Sequence, residues 1–319
     1  RNAGWGILGR KQLLNYKVST DFNPADDPSR FVDLRQPAPA PKWLSDFLVP
    51  EGPHHFEYKR PSIVTKSVCK EVYAGAGRLS KELQNLGLWV EHPLEAYQNP
   101  DTCKYLSQYD LDLCGVQLGL RSEIESGFLN YVHFGLPCTS WSRANSLNKG
   151  TRCQEHPLGS ANLLPREQLG NTQAQLVAGY CSLLMKAGNY FSVENPKGSY
   201  LFQSPWFLDL LSCEGVYLVS FDQCCYGLQL PGAPENTYCK KSTSILTNMP
   251  TLRNLCSFCD RSHKHEYAWG HRNKQSLARA AGRYPVALAR KWAQLVVDHF
   301  HSINPLEASD VVANTSGEK

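Results

Sequence analysis

The chain has 319 residues, of which 42% are hydrophobic and 19% charged, enough for one large globular domain or two smaller ones. An aromatic content of 11% argues against wholesale disorder. The absence of any run of about 18 apolar residues removes spanning helices, so membrane and collagen-like classes are excluded. The net charge of +4 is too small to assign a nucleic-acid partner from bulk charge, which leaves soluble enzymes open.

Residues 1–62 are punctuated by Pro24, Pro28, Pro37, Pro39, Pro41, Pro50, Pro53 and Pro61, and the PAPAPK stretch can neither continue a helix nor join a central strand. This region reads as an extended arm or linker with one short helix near WLSDFL. From Ser67 the texture changes. SVCKEVY, LGLWVEH, LNYVHFG, YFSVEN and VYLVSF are strand candidates, with YDLDLCG as a further, third strand in chain order. Between them lie helical patterns: one with Leu79, Leu83 and Leu86, the amphipathic TQAQLVAGYCSLLMKAG, and a short helix around WFLDLL. A closing helix over 284–300 is started by Pro285. Strands alternating with helices predict an α/β domain over 63–300, with an open, mostly parallel sheet. A small basic insertion is expected at about 249–280 and a flexible tail over 301–319.

Twelve cysteines diluted over this length do not make a disulfide scaffold, and a reducing compartment is expected. Cys69, Cys114, Cys181 and Cys213 fall in apolar runs and read as small buried hydrophobes. Charge is unevenly spread. Residues 251–294 hold nine Lys and Arg against Asp260 and Glu266, a phosphate-facing surface or else an ordinary solvated face.

Three motifs carry chemistry. In EVYAGAGRLSKEL a strand ends in Gly75-Ala76-Gly77 and opens a helix, a turn that lets backbone approach a ligand closely or simply packs tightly. Glu95 follows Gly77 by 18 residues, at the end of the second strand, where nucleotide-binding α/β folds place an acid on ribose hydroxyls. Ser80 stands where a dinucleotide fingerprint would have its third glycine, which leans away from a nicotinamide cofactor. In FGLPCTSWSRA, Cys138 follows a strand and Pro137. That location, outside the carboxyl end of a parallel strand and with Arg143 nearby to favour a thiolate, separates it from the other cysteines. A strand-capping thiol is the alternative. In FSVENPKGS, Glu194 and Asn195 end the next strand, so they should share that crevice. A carboxyl partly removed from water can donate a proton near neutrality, whereas a helix-capping acid is the other reading.

EVYAGAGRLS, GLWVEHPLE, FGLPCTSWS and SVENPKGS, in this order, resemble the cofactor turn, ribose acid, nucleophile motif and acid motif of the cytosine-5 DNA methyltransferases. AGRYPVALARKWA is similar to that family's closing helix, and the resemblance covers about 67–298. It implies a class I methyltransferase fold, Rossmann-like with helices on both faces, and S-adenosyl-L-methionine as cofactor, held by Tyr73, Gly75, Gly77, Glu95 and, at the adenine ring, Asp112. Catalysis would fall to Cys138, attacking C6 of a flipped-out cytosine, and Glu194, acting at N3, with Pro137 and Asn195 beside them. DNA is the implied partner, contacted by Arg143, Lys240 and Lys241, with no membrane role. Pro196 follows the acid motif where the family has Val, Thr139 follows the Cys where it has Gln, and lysines stand where it has an arginine strand motif. A degenerate module that binds nucleic acid or cofactor without turnover is therefore the alternative. Nitrogen or RNA methylation and cysteine proteolysis have less support, because no motif for them is present.

Within CSFCDRSHKHEYAWG, Cys256, Cys259, His263 and His265 form C-x2-C-x3-H-x-H, enough ligands for a structural zinc or else a basic loop that contains histidines. STDFNPADDPSRF resembles the segment that closes RNase H-like regions of retrotransposon polyproteins. With a start at RNAGWGILGR that shows neither Met nor a signal core, this predicts a domain derived from a retroelement, either monomeric or part of a larger polyprotein. An intracellular location is expected, nuclear if the substrate is chromosomal DNA.

Overall fold

The structure is a computed structural model that describes residues 4–8, 12–16, 67–97 and 105–303. The Pro-rich stretch, the helix expected near WLSDFL, the STDFNPADDPSRF segment and the chain beyond 303 lie outside the described residues. The chain divides into two compact units, Arg1–Tyr58 and Lys59–Lys319. In the first, where an extended arm is expected, β1 (Gly4–Leu8) and β2 (Gln12–Tyr16) pair antiparallel as a hairpin.

The second unit is built on one six-stranded sheet. Its strands are β3 (Val68–Val72), β4 (Trp89–Val90), β5 (Tyr131–Phe134), β6 (Tyr190–Pro196), β7 (Tyr217–Asp222) and, after the short β8 (Thr237–Cys239), β9 (Ser242–Thr247). The spatial order is β4-β3-β5-β6-β9-β7. The first four strands run parallel, and β9 lies antiparallel between β6 and β7. Between the strands run α1 (Arg78–Asn85), α2 (Cys114–Glu125), α3 (Pro165–Lys186) and α4 (Pro205–Leu211). Strand alternation sends successive side chains to opposite faces. Val72, Val132, Phe134 and Val193 face a core shared with α2, α3 and α4. Cys69 and Tyr131 face a second core with Leu79 and Leu83 of α1 and with the closing helix α6 (Val286–Ile303), numbered after α5 (Leu277–Ala281). This is the Rossmann-like mixed sheet, mostly parallel and covered on both faces, that the resemblance implies.

Four expectations need correction. YDLDLCG forms no strand. Asp110 accepts from the Asp112 N–H (2.9 Å) and from the Tyr105 hydroxyl (2.6 Å), and these side-chain bonds fix a turn that leads into α2. The helix read from TQAQLVAGY starts earlier, at Pro165, where proline takes the first helical position and the Glu167 side chain accepts from the Leu164 N–H. Cys69 and Cys181 are buried, but Cys114 and Cys213 are exposed at helix ends, off the apolar face. The closing helix continues through residues 301–303, past the point where a tail is expected.

The insertion contains β10 (Lys264–Glu266), which pairs parallel with β8, a small ribbon of β11 (His271–Arg272) and β12 (Gln275–Ser276), and then α5. Several of the nine basic residues of 251–294 are engaged by the protein itself. Arg253 lies over the Tyr217 ring, Arg272 pairs with Glu266 (2.6 Å), and Arg290 reaches Glu82 (3.5 Å). Among the described residues no helix is long and apolar enough to cross a membrane.

Candidate active site

Two loops at the carboxyl ends of the parallel strands meet around the sheet centre. After β3 the chain turns sharply, with Tyr73, Gly75 and Gly77 all at positive φ (55°, 54° and 60°). Two glycines relieve that strain, and Tyr73 adopts the same left-handed region despite its side chain. The Gly75 N–H donates to Glu95 Oε2 (2.8 Å), and Glu95 Oε1 accepts from the Tyr97 N–H (3.1 Å), so the acid expected to meet a ribose is held at the turn itself. Gly75, Ala76, Glu95 and Tyr97 line a cleft of about 370 Å³, whose other wall is Arg279, Gly282 and Arg283. Ser80 is buried, and its hydroxyl and N–H both donate to Glu71, which explains a serine at the third fingerprint position.

The cleft lining brings together the Glu95 carboxylate, an exposed aromatic ring at Tyr97, and the guanidinium groups of Arg279 and Arg283. The Tyr73 hydroxyl nearby is buried and takes no hydrogen bond. Asp112 is placed differently from the expected strand end. It sits in the turn before α2, and its carboxylate accepts from the Gln173 amide at 2.8 and 3.1 Å. The signal missing from the sequence is the pair of arginines, which read there only as part of a charged segment.

Pro137 and Cys138 leave β5 through Gly135 and Leu136. A side chain on Gly135 would meet the Tyr73 carbonyl oxygen at 2.7 Å, so only glycine lets the Cys138 loop pass this close to the turn after β3. Cys138 is exposed, and its carbonyl accepts from the N–H groups of Trp141 (3.1 Å) and Ser142 (3.0 Å). The following loop is fixed by Arg152, stacked on Trp141 and donating to Asn171, Pro157 and the Glu167 carbonyl. The buried Glu167 carboxylate accepts from Thr151 and Asn145.

Glu194 and Asn195 occupy β6, next to β5. Glu194 is 8% exposed, its Oε1 is buried without a hydrogen bond, and Lys241 Nζ stands 3.7 Å from that oxygen. Asn195 is fully buried. Its Nδ2 donates to the Leu136 carbonyl (2.9 Å), and its Oδ1 accepts from Ser199 (2.7 Å), which ties β6 to the Cys138 loop. Desolvation pushes the Cys138 thiol above its ordinary value, the Glu194 charge pushes it further, and Lys241 pulls it back. The cation expected to favour a thiolate, Arg143, instead donates to the Gly198 carbonyl (3.1 Å) on the neighbouring loop. Of the two lysines expected on phosphate, Lys240 is exposed and Lys241 faces Glu194.

The expected metal set is brought together with one exchange. Cys259, His263 and His265 converge with Cys224, in the turn after β7, whereas Cys256 is exposed. No spacing rule links Cys224 to the later residues, because β8 and β9 intervene.

No protein-family model matches the sequence, and no curated protein matches it. Among solved structures, an Entamoeba histolytica methyltransferase, EhMeth, is similar at 14% identity and a TM-score of 0.35, over 59% of this chain and 54% of that one. A Spodoptera frugiperda DNMT2 variant is similar at 15% identity and the same TM-score, over 64% and 56%. The chain thus spans little more than half the length of these two proteins, and the fold assignment rests on the strand order and the two-faced core described above.

Proposed function

We propose that this chain is an S-adenosyl-L-methionine-dependent methyltransferase acting on C5 of cytosine in DNA. The observation that carries this reading is the buried, unbonded Oε1 of Glu194, on the strand beside the exposed Cys138 and tied to its loop through Asn195. A buried carboxylate oxygen without a donor is costly unless a ligand supplies one, and the Watson–Crick edge of a flipped cytosine does so. In this reading the Cys138 thiolate bonds to C6, Glu194 steadies and protonates N3, and electron density gathers at C5. Gly75, Gly77, Glu95 and the Arg279–Arg283 wall hold the cofactor, which when bound supplies the methyl group that C5 takes up. Loss of the C5 proton to a base then expels Cys138 and restores the ring.

A second reading, a binding module without turnover, is favoured by Pro196 after the acid motif and by lysines where the family has an arginine strand motif. Incubation with cofactor and a duplex carrying 5-fluorocytosine separates the two, because fluorine at C5 cannot leave as a cation and the adduct persists. The catalytic reading expects a denaturation-resistant protein–DNA adduct that Cys138→Ser abolishes. No adduct from the folded, cofactor-bound protein favours the binding module.

A further inference from the structure

Outside this cleft, Cys224, Cys259, His263 and His265 form a cluster of soft ligands among the described residues. Their ligand atoms all lie within 4.8 Å of one another, with Cys224 buried and the other three half-buried. Cys259 Sγ is 3.5 Å from His263 Nε2 and 3.4 Å from His265 Nε2. Tetrahedral zinc, with bonds of about 2.3 Å to sulfur and 2.0–2.1 Å to nitrogen, needs S···N edges of about 3.6 Å. These two edges are therefore already at coordination length.

Two outer contacts hold Cys259 in position. The Arg261 N–H donates to Cys259 Sγ (3.3 Å), and Arg261 reaches that position only by adopting a φ of 65°. A non-glycine residue held in the left-handed region is a strain that this contact accounts for. The Cys259 N–H in turn donates to Asp222 Oδ2 (3.0 Å), which fixes the loop to the end of β7. Supporting contacts of this kind orient metal ligands.

The surrounding subdomain brings little apolar core of its own. Strands β8, β10, β11 and β12 have two or three residues each, and their hydrophobic core is Leu228, Leu230, Cys239, Leu277 and Ala281. In small autonomous domains a core of this size is commonly supplemented by a disulfide or a metal.

We infer that Cys224, Cys259, His263 and His265 form a structural zinc site. Two thiolates and two neutral imidazoles balance the dication and complete its coordination, leaving no open position for chemistry. Binding releases the two thiol protons to solvent. The site joins the turn after β7 to β10, and both flank the lysine that faces Glu194. The Gln223 N–H donates to the Lys241 carbonyl, and the Lys240 N–H donates to the Glu266 carbonyl, each at 2.9 Å. The metal thus braces the segment that carries Lys241. This inference does not depend on the methyl-transfer reading.

Metal analysis of the full chain, purified without chelator after growth with zinc, should find one zinc per chain. X-ray absorption should show a first shell of two sulfur and two nitrogen atoms. Cys224→Ala and His265→Ala should each lower the zinc content at least tenfold, and Cys256→Ala should leave it unchanged. Should the ligand variants fail to fold, cobalt substitution of the wild-type chain decides. The expected outcome is the intense visible bands of tetrahedral cobalt with thiolate-to-metal charge transfer. A folded chain without zinc, a first shell lacking sulfur, or loss of zinc in Cys256→Ala would overturn the assignment. None of these readouts depends on methyl transfer.

Discussion

Asn195 Nδ2 donates to the Leu136 carbonyl at 2.9 Å, so the residue after the candidate acid holds the backbone two residues before the candidate nucleophile. Asn195→Ala removes the side-chain donor of that buried carbonyl and the shorter of the two bonds that the Ser199 hydroxyl donates, leaving it the Trp141 carbonyl at 3.4 Å. It should destabilise the protein by about 1–3 kcal/mol. The rate of adduct formation with 5-fluorocytosine DNA should fall as well, even under conditions where the variant is fully folded. Denaturant unfolding and adduct kinetics on the same preparation check this. An unchanged adduct rate would reduce Asn195 to a purely structural clamp.

Glu194→Gln keeps the shape of the side chain and removes its charge and its proton. Cofactor binding, measured by calorimetry, should stay within about twofold, because Glu194 does not line the cleft beside Gly75 and Glu95. Turnover should fall by about 10² to 10⁴-fold, the usual contribution of a positioned general acid. Methyl transfer at the wild-type rate would remove Glu194 from the mechanism.

Desolvation by the surrounding loop and the Glu194 charge raise the pKa of the exposed Cys138, while Lys241 lowers it. Since the thiolate is the nucleophile, adduct formation should accelerate as pH rises through neutrality towards the thiol pKa. Lys241→Met removes the stabilising cation, so its profile should shift to higher pH. A shift to lower pH, or none, contradicts the placement of Lys241 beside the reacting pair.

Glu71 and His133 face each other in register on β3 and β5, and burial perturbs both towards their neutral forms. Desolvation raises Glu71 from 4.5 to about 7 and lowers His133 from 6.5 to about 3. Between pH 4.5 and 6.5 the unfolded chain gains a proton at the histidine that the folded chain refuses, so acidification costs stability. Over the same interval the folded chain retains a proton at Glu71 that the unfolded chain releases, so acidification adds stability. The two slopes oppose each other, at about 1.4 kcal/mol per pH unit each. Glu71→Gln should therefore unmask the histidine term, and its stability should fall more steeply than wild type as pH drops from 6.5 to 4.5. Parallel stability–pH curves for the two proteins would show that the pair does not titrate in this way.

The four parallel strands, the glycine turn, the Glu95 offset and the order of the Cys138 and Glu194 motifs were readable because each rests on local pattern or chain order. The sequence hid what depends on distant partners. SerThrSer opens β9 as though it were a loop, yet Thr243, Ser244 and Thr247 are buried in the middle of the sheet, and Thr247 bonds to the Phe191 carbonyl. YDLDLCG carries an apolar alternation but also two aspartates able to bond their own backbone, and the turn prevails. Arg143 lies near Cys138 in sequence and binds Gly198, whereas Lys241, about a hundred residues away, supplies the local charge. Cys224 joins His265 only because β8 and β10 pair, a long-range contact with no spacing signature.

The central claim is methyl transfer to C5 of cytosine, and tritium-labelled S-adenosyl-L-methionine tests it most directly. The folded chain should transfer label to duplex DNA, and hydrolysis to bases should place that label in 5-methylcytosine, with none incorporated by Cys138→Ser. Label in another base, label incorporated equally by Cys138→Ser, or no incorporation by protein shown to bind both cofactor and DNA would contradict it.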